Sequence, residues 1–200
     1  YITRNHGYMI YDTLFAQNAK GAIKPQMVDS WKVSADKKTW SFKLRDGLKW
    51  SDGTPVTAAD CVASLKRWGG RDVSGRLLFA AVGEIKAVDT ANFIITLKSP
   101  FGPVLEMLGK PSSNVPFMMP ERIAATDPAE QIKDTVGSGP FIFKRDEWVP
   151  GSKVVYVKNP NYVPRKEPAD GLAGGKVVKV DRVEWNYIPD QNTALTAFRK

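Results

Sequence analysis

The side chains best suited to acid–base, nucleophilic or metal chemistry are scarce in this sequence, which has one histidine, His6, and one cysteine, Cys61. No His, Cys and Asp cluster has metal-ligand spacing, so no metal site is expected. A lone histidine can carry a proton, but no G-x-S-x-G elbow supplies a nucleophile and no acid pair stands apart from the other carboxylates. The run Val136-Gly137-Ser138-Gly139-Pro140 has the glycine content of a phosphate cradle. It lacks the Lys-Ser/Thr of a P-loop and enters a strand pattern, whereas a phosphate site needs a helix N-terminus behind it. The favoured reading is a hinge or tight bend, with Gly137 and Gly139 supplying unusual backbone angles and Pro140 stiffening the exit. Neither an enzyme activity nor a cofactor is expected.

Binding chemistry has more to draw on. Six tryptophans are present, and aromatic residues line sugar and peptide clefts. Trp31, Trp40 and Trp50 are assigned to core packing, the last two because they alternate on strand patterns. Trp68, Trp148 and Trp185 sit at element ends and stay open between core and ligand. Arg71, Asp72 and Arg76 follow the central helix in what reads as a loop, where a solvated surface and a ligand contact both fit. The net charge of +8 raises the question of nucleic acid. Lys and Arg are scattered, however, and no recognition helix, zinc-finger spacing or aromatic RNA-binding signature accompanies them, so no nucleic-acid partner is expected.

The stretch that must position these residues runs from Trp40 to Trp68. Trp40, Phe42 and Leu44 alternate with Ser41, Lys43 and Arg45, the period of a half-buried strand with the first three inward and the last three exposed. Asp46-Gly47 turns the chain, Leu48 and Trp50 resume the alternation, and Ser51-Asp52-Gly53 turns it again. Thr57 and Asp60 have the spacing of a helix N-cap and its acidic partner, a capping box with Asp in place of Glu. Cys61, Leu65 and Trp68 then recur on one apolar face. Cys61 reads as a buried small hydrophobe there, and one cysteine excludes an internal disulfide.

Along the rest of the chain, residues 1–3 are extended in character and residues 6–15 read as a helix running into a short strand. Trp68 to Asp72 is expected to break the central helix. Strands at 84–88 and 93–97 flank a turn at 89–92. Short helices are expected at 100–109 and 120–125, then strands at 141–148, 153–158 and 176–185, and a final helix capped near Asp190. Composition is that of a globular chain, 42% apolar and 25% charged, and no apolar run is long enough to cross a bilayer. No charged n-region or apolar h-region precedes Tyr1, so a secretion signal is neither seen nor disproved.

Several of these residues, in order, resemble the signature of the extracellular solute-binding proteins of family 5, the peptide, nickel and oligosaccharide receptors of ABC importers. They are Pro25, Ser30-Trp31, Leu44-Arg45, Trp50, Asp52 to Pro55, Thr57-Ala58 and Asp60. Downstream, Gly137 to Phe141, Asn159 to Tyr162 and Pro189-Asp190 match as well. The resemblance implies an α/β fold of the type-II periplasmic-binding-protein kind, with a mixed-sheet domain and a β-rich inserted domain. The first domain is expected to be discontinuous, from residues 1–17 and 137–200, with the insertion at residues 18–136. Chains of the family run to more than twice this length, so an N-terminal portion with the third domain missing is expected.

The same resemblance implies a binding function: capture of an extracytoplasmic solute, closure about a hinge and delivery to a membrane permease. A di- or oligopeptide is the expected cargo, with nickel chelates, oligosaccharides and opines as alternatives, and a non-transport interaction module on the same fold as the other class. Ligand contacts are expected from Tyr1, Ile2 and Thr3 and from the loop carrying Arg71, Asp72 and Arg76, and hinge motion at Gly137 and Gly139. The expected setting is periplasmic, or lipid-anchored on the extracellular face, as a monomer and with no membrane insertion by this segment.

Overall fold

The computed structural model describes residues 2–199, the side chain of Ile2 excepted. Helix α1 (Ile2–Ile10) opens the fold and leads into strands β1 (Phe15–Gln17) and β2 (Ile23–Pro25), which pair with each other. Residues 1–3 were expected to be extended, but Ile2 and Thr3 belong to α1. Strands β3 (Val28–Val33), β4 (Thr39–Leu44), β5 (Val82–Ala87) and β6 (Asn92–Leu97) form an antiparallel sheet in the order β3-β4-β6-β5. Helices α2 (Ala58–Arg71) and α3 (Val73–Ala81) stand between β4 and β5 in the sequence. Short helices α4 (Val104–Leu108) and α5 (Glu121–Ala124) follow. A second antiparallel sheet takes β7 (Phe141–Phe143), β8 (Lys153–Lys158) and β9 (Arg182–Asn186), and α6 (Gln191–Phe198) comes last. Among the described residues no helix is long and apolar enough to cross a membrane.

The four-stranded sheet forms as its alternation dictates. Phe42 and Leu44 turn inward, Phe42 faces Phe93 across the strands, and the two rings stack with centroids 4.9 Å apart. α2 lies against β5 and β6 and brings Cys61, Leu65 and Trp68 into the same core. Two expectations on β4 need correction. Trp40 is half-buried at the margin of the core, and Arg45 is half-buried because its guanidinium donates to the carbonyls of Gln26 and Val163 at 2.9 and 3.0 Å. Trp31, assigned to the core, is 37% exposed, though its ring meets Phe15 edge-on.

α2 starts where its cap requires. The Thr57 hydroxyl accepts from the Asp60 amide at 3.3 Å, and the Asp60 carboxylate accepts from the Thr57 amide at 2.8 Å. Asp60 also accepts from the Trp50 indole and the Glu121 amide, so one carboxylate joins strand, helix and the start of α5. The helix does not break at Gly69-Gly70 as expected; it continues to Arg71 and ends at Asp72. Gly69 serves packing instead, since a Cβ there would lie 2.4 Å from the Phe79 ring of α3.

The second sheet rests on α1, with Tyr156 buried beneath it and His6 against Phe143 and Tyr156. The strand expected at 141–148 stops at Phe143 and gives way to a 3-10 turn at Arg145–Glu147, and that expected at 176–185 begins only at Arg182. Gly137 and Gly139 join the two sheets. Neither has the positive φ that would call for glycine. Close approach calls for it: a Cβ on Gly137 would lie 1.9 Å from the Ile10 carbonyl oxygen, and Gly139 N–H donates to that same oxygen at 2.9 Å. The irregular segment 162–176 adds further ties. Gln26 exchanges hydrogen bonds with the Gly174 backbone, and Arg165 donates to the carbonyls of Gln26 and Val28.

Candidate functional site

Capping fixes the phase of α2, and the phase sets what its side away from the sheet presents. Ser64, Arg67, Trp68 and Arg71 are spaced i, i+3, i+4 and i+7 and so share one face. That face and the first turns of α1 border a cleft of about 860 Å³, with segments 112–119 and 128–135 completing its lining. The apolar lining comes from Tyr11, Trp68, Val115, Phe117 and Met119, the polar lining from Thr3, Ser112, Ser113, Asn114 and Thr135 among others. An apolar concavity with a few placed polar groups is the usual form of a small-ligand site.

The walls are tied to the helices through backbone carbonyls. Trp68 Nε1 donates to Asn114 O at 2.7 Å, while Ser64 Oγ donates to Met119 O and accepts from Met119 N, both at 2.9 Å. Arg67 donates to the carbonyl and hydroxyl of Thr126 and to Glu130 O at 3.0 Å, which pins the opposite wall. From α1, Tyr8 donates to Pro111 O at 3.2 Å and Arg4 reaches Ser112 Oγ at 3.3 Å. Phe117 stands edge-on to Tyr8, its centroid 5.1 Å away. Burial pushes the phenols of Tyr8 and Tyr11 up to about 12. His6 shares a 2.8 Å hydrogen bond with the Tyr156 hydroxyl, and burial lowers its pKa below 6.5.

Of the ligand contacts expected from the sequence, the cleft lining includes Thr3 and Arg71, together with His6 and Trp68. Tyr1 lies outside the described residues, as does the side chain of Ile2. Arg71, Asp72 and Arg76 do not form a loop: Arg71 ends α2, Asp72 caps α3, and Arg76 lies within α3. Asp72 is 3% exposed, accepts from the Gly75 amide at 3.0 Å and pairs with Lys110 at 2.8 Å, so its carboxylate is fully engaged inside the fold. Arg76 is exposed on α3 and is not among the residues lining the cleft. Gly137 and Gly139 are buried at the seam between the sheets.

Sequence reasoning missed Arg4, Arg67 and Phe117, and left Trp68 open. The helical spacing of Arg67 and Arg71 with Trp68 carried a signal for two of these; Phe117 comes from a stretch with no periodicity to read. It also missed Asp12, which is 1% exposed, pairs with Lys176 at 2.9 Å and holds segment 162–176 against the strands. Among the described residues no group of three or more His, Cys, Asp or Glu side chains is placed to hold a metal ion.

The sequence model described as bacterial extracellular solute-binding proteins, family 5, middle region, matches residues 22–200. A probable peptide ABC transporter periplasmic-binding protein of Sinorhizobium fredii is 46% identical over 200 residues, covering 99% of this chain and 37% of that protein. The nickel-binding periplasmic protein of Escherichia coli is 31% identical over 192 residues, covering 95% of this chain and 34% of that protein. Among solved structures, NikA from Brucella suis in complex with Fe(III)-EDTA superposes with a TM-score of 0.79 at 25% identity, over 98% of this chain and 37% of that one. The chain therefore spans little more than a third of the length of the relatives it matches.

Proposed function

The chain belongs to the bacterial extracellular solute-binding proteins of family 5, and from that premise we propose that it supplies one wall of the ligand cleft in the substrate-binding component of an ABC importer. The cargo we propose is a di- or oligopeptide, on the strength of the 46% identical relative named for peptide transport. Binding, closure and delivery to a membrane permease, outside the cytoplasm, make up the whole activity, and no bond chemistry takes place. The observation that carries this reading is the apolar cleft between α1 and α2, with carbonyl-tied walls and polar groups around it.

In this reading Thr3 and Arg71 touch the ligand. Residues 1–17 with 137–200 and residues 18–136 form two domains of one lobe. Gly137 and Gly139 act as a rigid seam within that lobe and not as its hinge, because any side chain there would collide with the Ile10–Tyr11 backbone. A single wall buries only part of a ligand, and losing about 4 kcal/mol of contacts turns micromolar binding into roughly millimolar. Titration calorimetry with one peptide library, on this chain and on any longer polypeptide carrying it, tests the proposal. We expect binding no tighter than about millimolar by this chain and micromolar or better in the longer form. Equal, tight binding by this chain would show its site to be self-contained and would overturn the one-wall reading.

A further inference from the structure

Arg67 and Arg71 lie one turn apart on the cleft face of α2. Like charges at this spacing repel, so the sequence bears a small local cost that something must justify. For Arg67 the fold gives the reason, since its guanidinium holds the wall through Thr126 and Glu130. Those acceptors are neutral carbonyls and a hydroxyl, which orient the guanidinium without cancelling its charge. Arg71 has no such role: it is exposed, and among the described residues no acceptor or carboxylate engages its guanidinium. Attraction to the C-terminal end of α2 accounts for a basic residue in the last turn, but not for its place on the cleft face.

Nearby acids compensate little: Asp134, which acts on Tyr11 of the lining, is already paired with Arg122. The carboxylate next to Arg71 in the sequence, Asp72, is buried and paired with Lys110. Among the described lining residues the one carboxylate is Glu130, against the two guanidinium groups of Arg67 and Arg71 on α2. Walls of low polarity concentrate such an imbalance, because field lines leave through the cleft mouth. We propose that the cleft selects ligands carrying a negative charge, with Arg71 as the group that pairs with it; this rests on the reading of the cleft as the ligand site. A carboxylate is the chemical fit, since the planar guanidinium meets it with two parallel hydrogen bonds. That carboxylate can belong to a peptide's C-terminus or to an acidic side chain.

Amide chemical-shift titrations of the chain at low ionic strength, read at the Trp68 indole N–H, separate the possibilities. The probes are Ala-Ala-Ala, Ala-Glu-Ala, Ala-Lys-Ala and amidated Ala-Ala-Ala, each to about 10 mM. We expect Ala-Glu-Ala to bind roughly five- to tenfold tighter than Ala-Ala-Ala, with Ala-Lys-Ala weakest. If the C-terminus is the partner instead, amidation produces the loss and the side-chain charge matters less; either result supports an anion site. Arg71→Gln should remove the preference with the melting temperature unchanged, and Arg71→Lys should restore part of it. Charge-blind binding, or a preference that survives Arg71→Gln, overturns this inference and leaves the ligand-wall reading standing. If none of the four probes perturbs the cleft, the ligand-wall reading fails and this inference fails with it.

Discussion

In the four-stranded sheet, residues that alternate inward meet their cross-strand partners and vanish from solvent: Phe42, Phe93 and Ile95 are each no more than 1% exposed. In the three-stranded sheet the same alternation is only half realised. Along β7 the residues Phe141, Ile142 and Phe143 are all half-buried, and along β9 Val183 and Trp185 are half-buried between exposed neighbours. The difference lies in what covers each sheet. The first has the fourteen-residue α2, capped at Thr57 and apolar along one face, lying against β5 and β6. The second has the nine-residue α1, which buries Tyr156 and leaves the flanking strands partly open. Alternation in a sequence becomes a core only where a covering element spans it.

The largest effect expected from this contrast separates two aromatic truncations. Phe42→Ala should destabilise the chain by about 3–5 kcal/mol, the cost of emptying a closed core site. Trp185→Ala removes a larger ring that packs edge-on against Tyr156 at 4.8 Å but is already half in water, and should cost about 1–2 kcal/mol. Chemical denaturation of the two variants measures the difference. Equal losses would mean that the two sheets are equally sealed, and the comparison would fail.

The same contrast explains what the sequence disclosed. The inward alternation of Phe42 and Leu44, the Thr57–Asp60 cap and the hairpin of β5 and β6 were legible because each is a local pattern with one physical solution. Trp40 and Arg45 departed from their alternation because tertiary neighbours decided them: Trp40 falls at the margin of the core, and Arg45 finds two carbonyls. Gly69-Gly70 reads as a breaker by propensity, yet the helix runs on, with Gly69 placed where α3 must come close. In the site, Arg71 and Thr3 were named on the family resemblance, and the structure sets both in the cleft lining. Phe117 and the Asp12–Lys176 pair were out of reach, since contacts between residues more than one hundred positions apart leave no local signature.

A smaller effect probes why α2 covers its sheet so completely. Thr57→Ala removes the hydroxyl that accepts from the Asp60 amide and should cost about 1 kcal/mol. Thr57→Ser keeps the acceptor and should recover most of that loss. The Asp60 carboxylate accepts from the Thr57 amide in every one of these variants, so the cap weakens without opening. Unchanged stability in Thr57→Ala would mean that packing against β5 and β6, and not the cap, sets where the helix begins.

The smallest expected effect is a pH dependence confined to the three-stranded side. His6 packs against Phe143 and Tyr156, and burial holds its pKa below the ordinary 6.5. The unfolded chain therefore binds a proton at His6 more readily than the folded one, so stability rises with pH across this interval. The His6 contribution is complete above about pH 6.5 and is lost as pH falls through the lower, folded-state value. Carboxylates such as Asp52 and Asp134 are held below their ordinary range, so their own contributions are lost only at more acidic pH. Melting temperatures between about pH 5 and 7 should show a shallow decline on acidification, and His6→Gln should flatten it. Because the His6 ring carries the hydrogen bond from α1 to Tyr156 of β8, the decline should be accompanied by faster amide exchange in α1 and β8, with β4 and β6 unaffected. Exchange that quickens equally in both sheets would show that His6 titration is felt through the whole fold, and the separation between the two sheets would not hold.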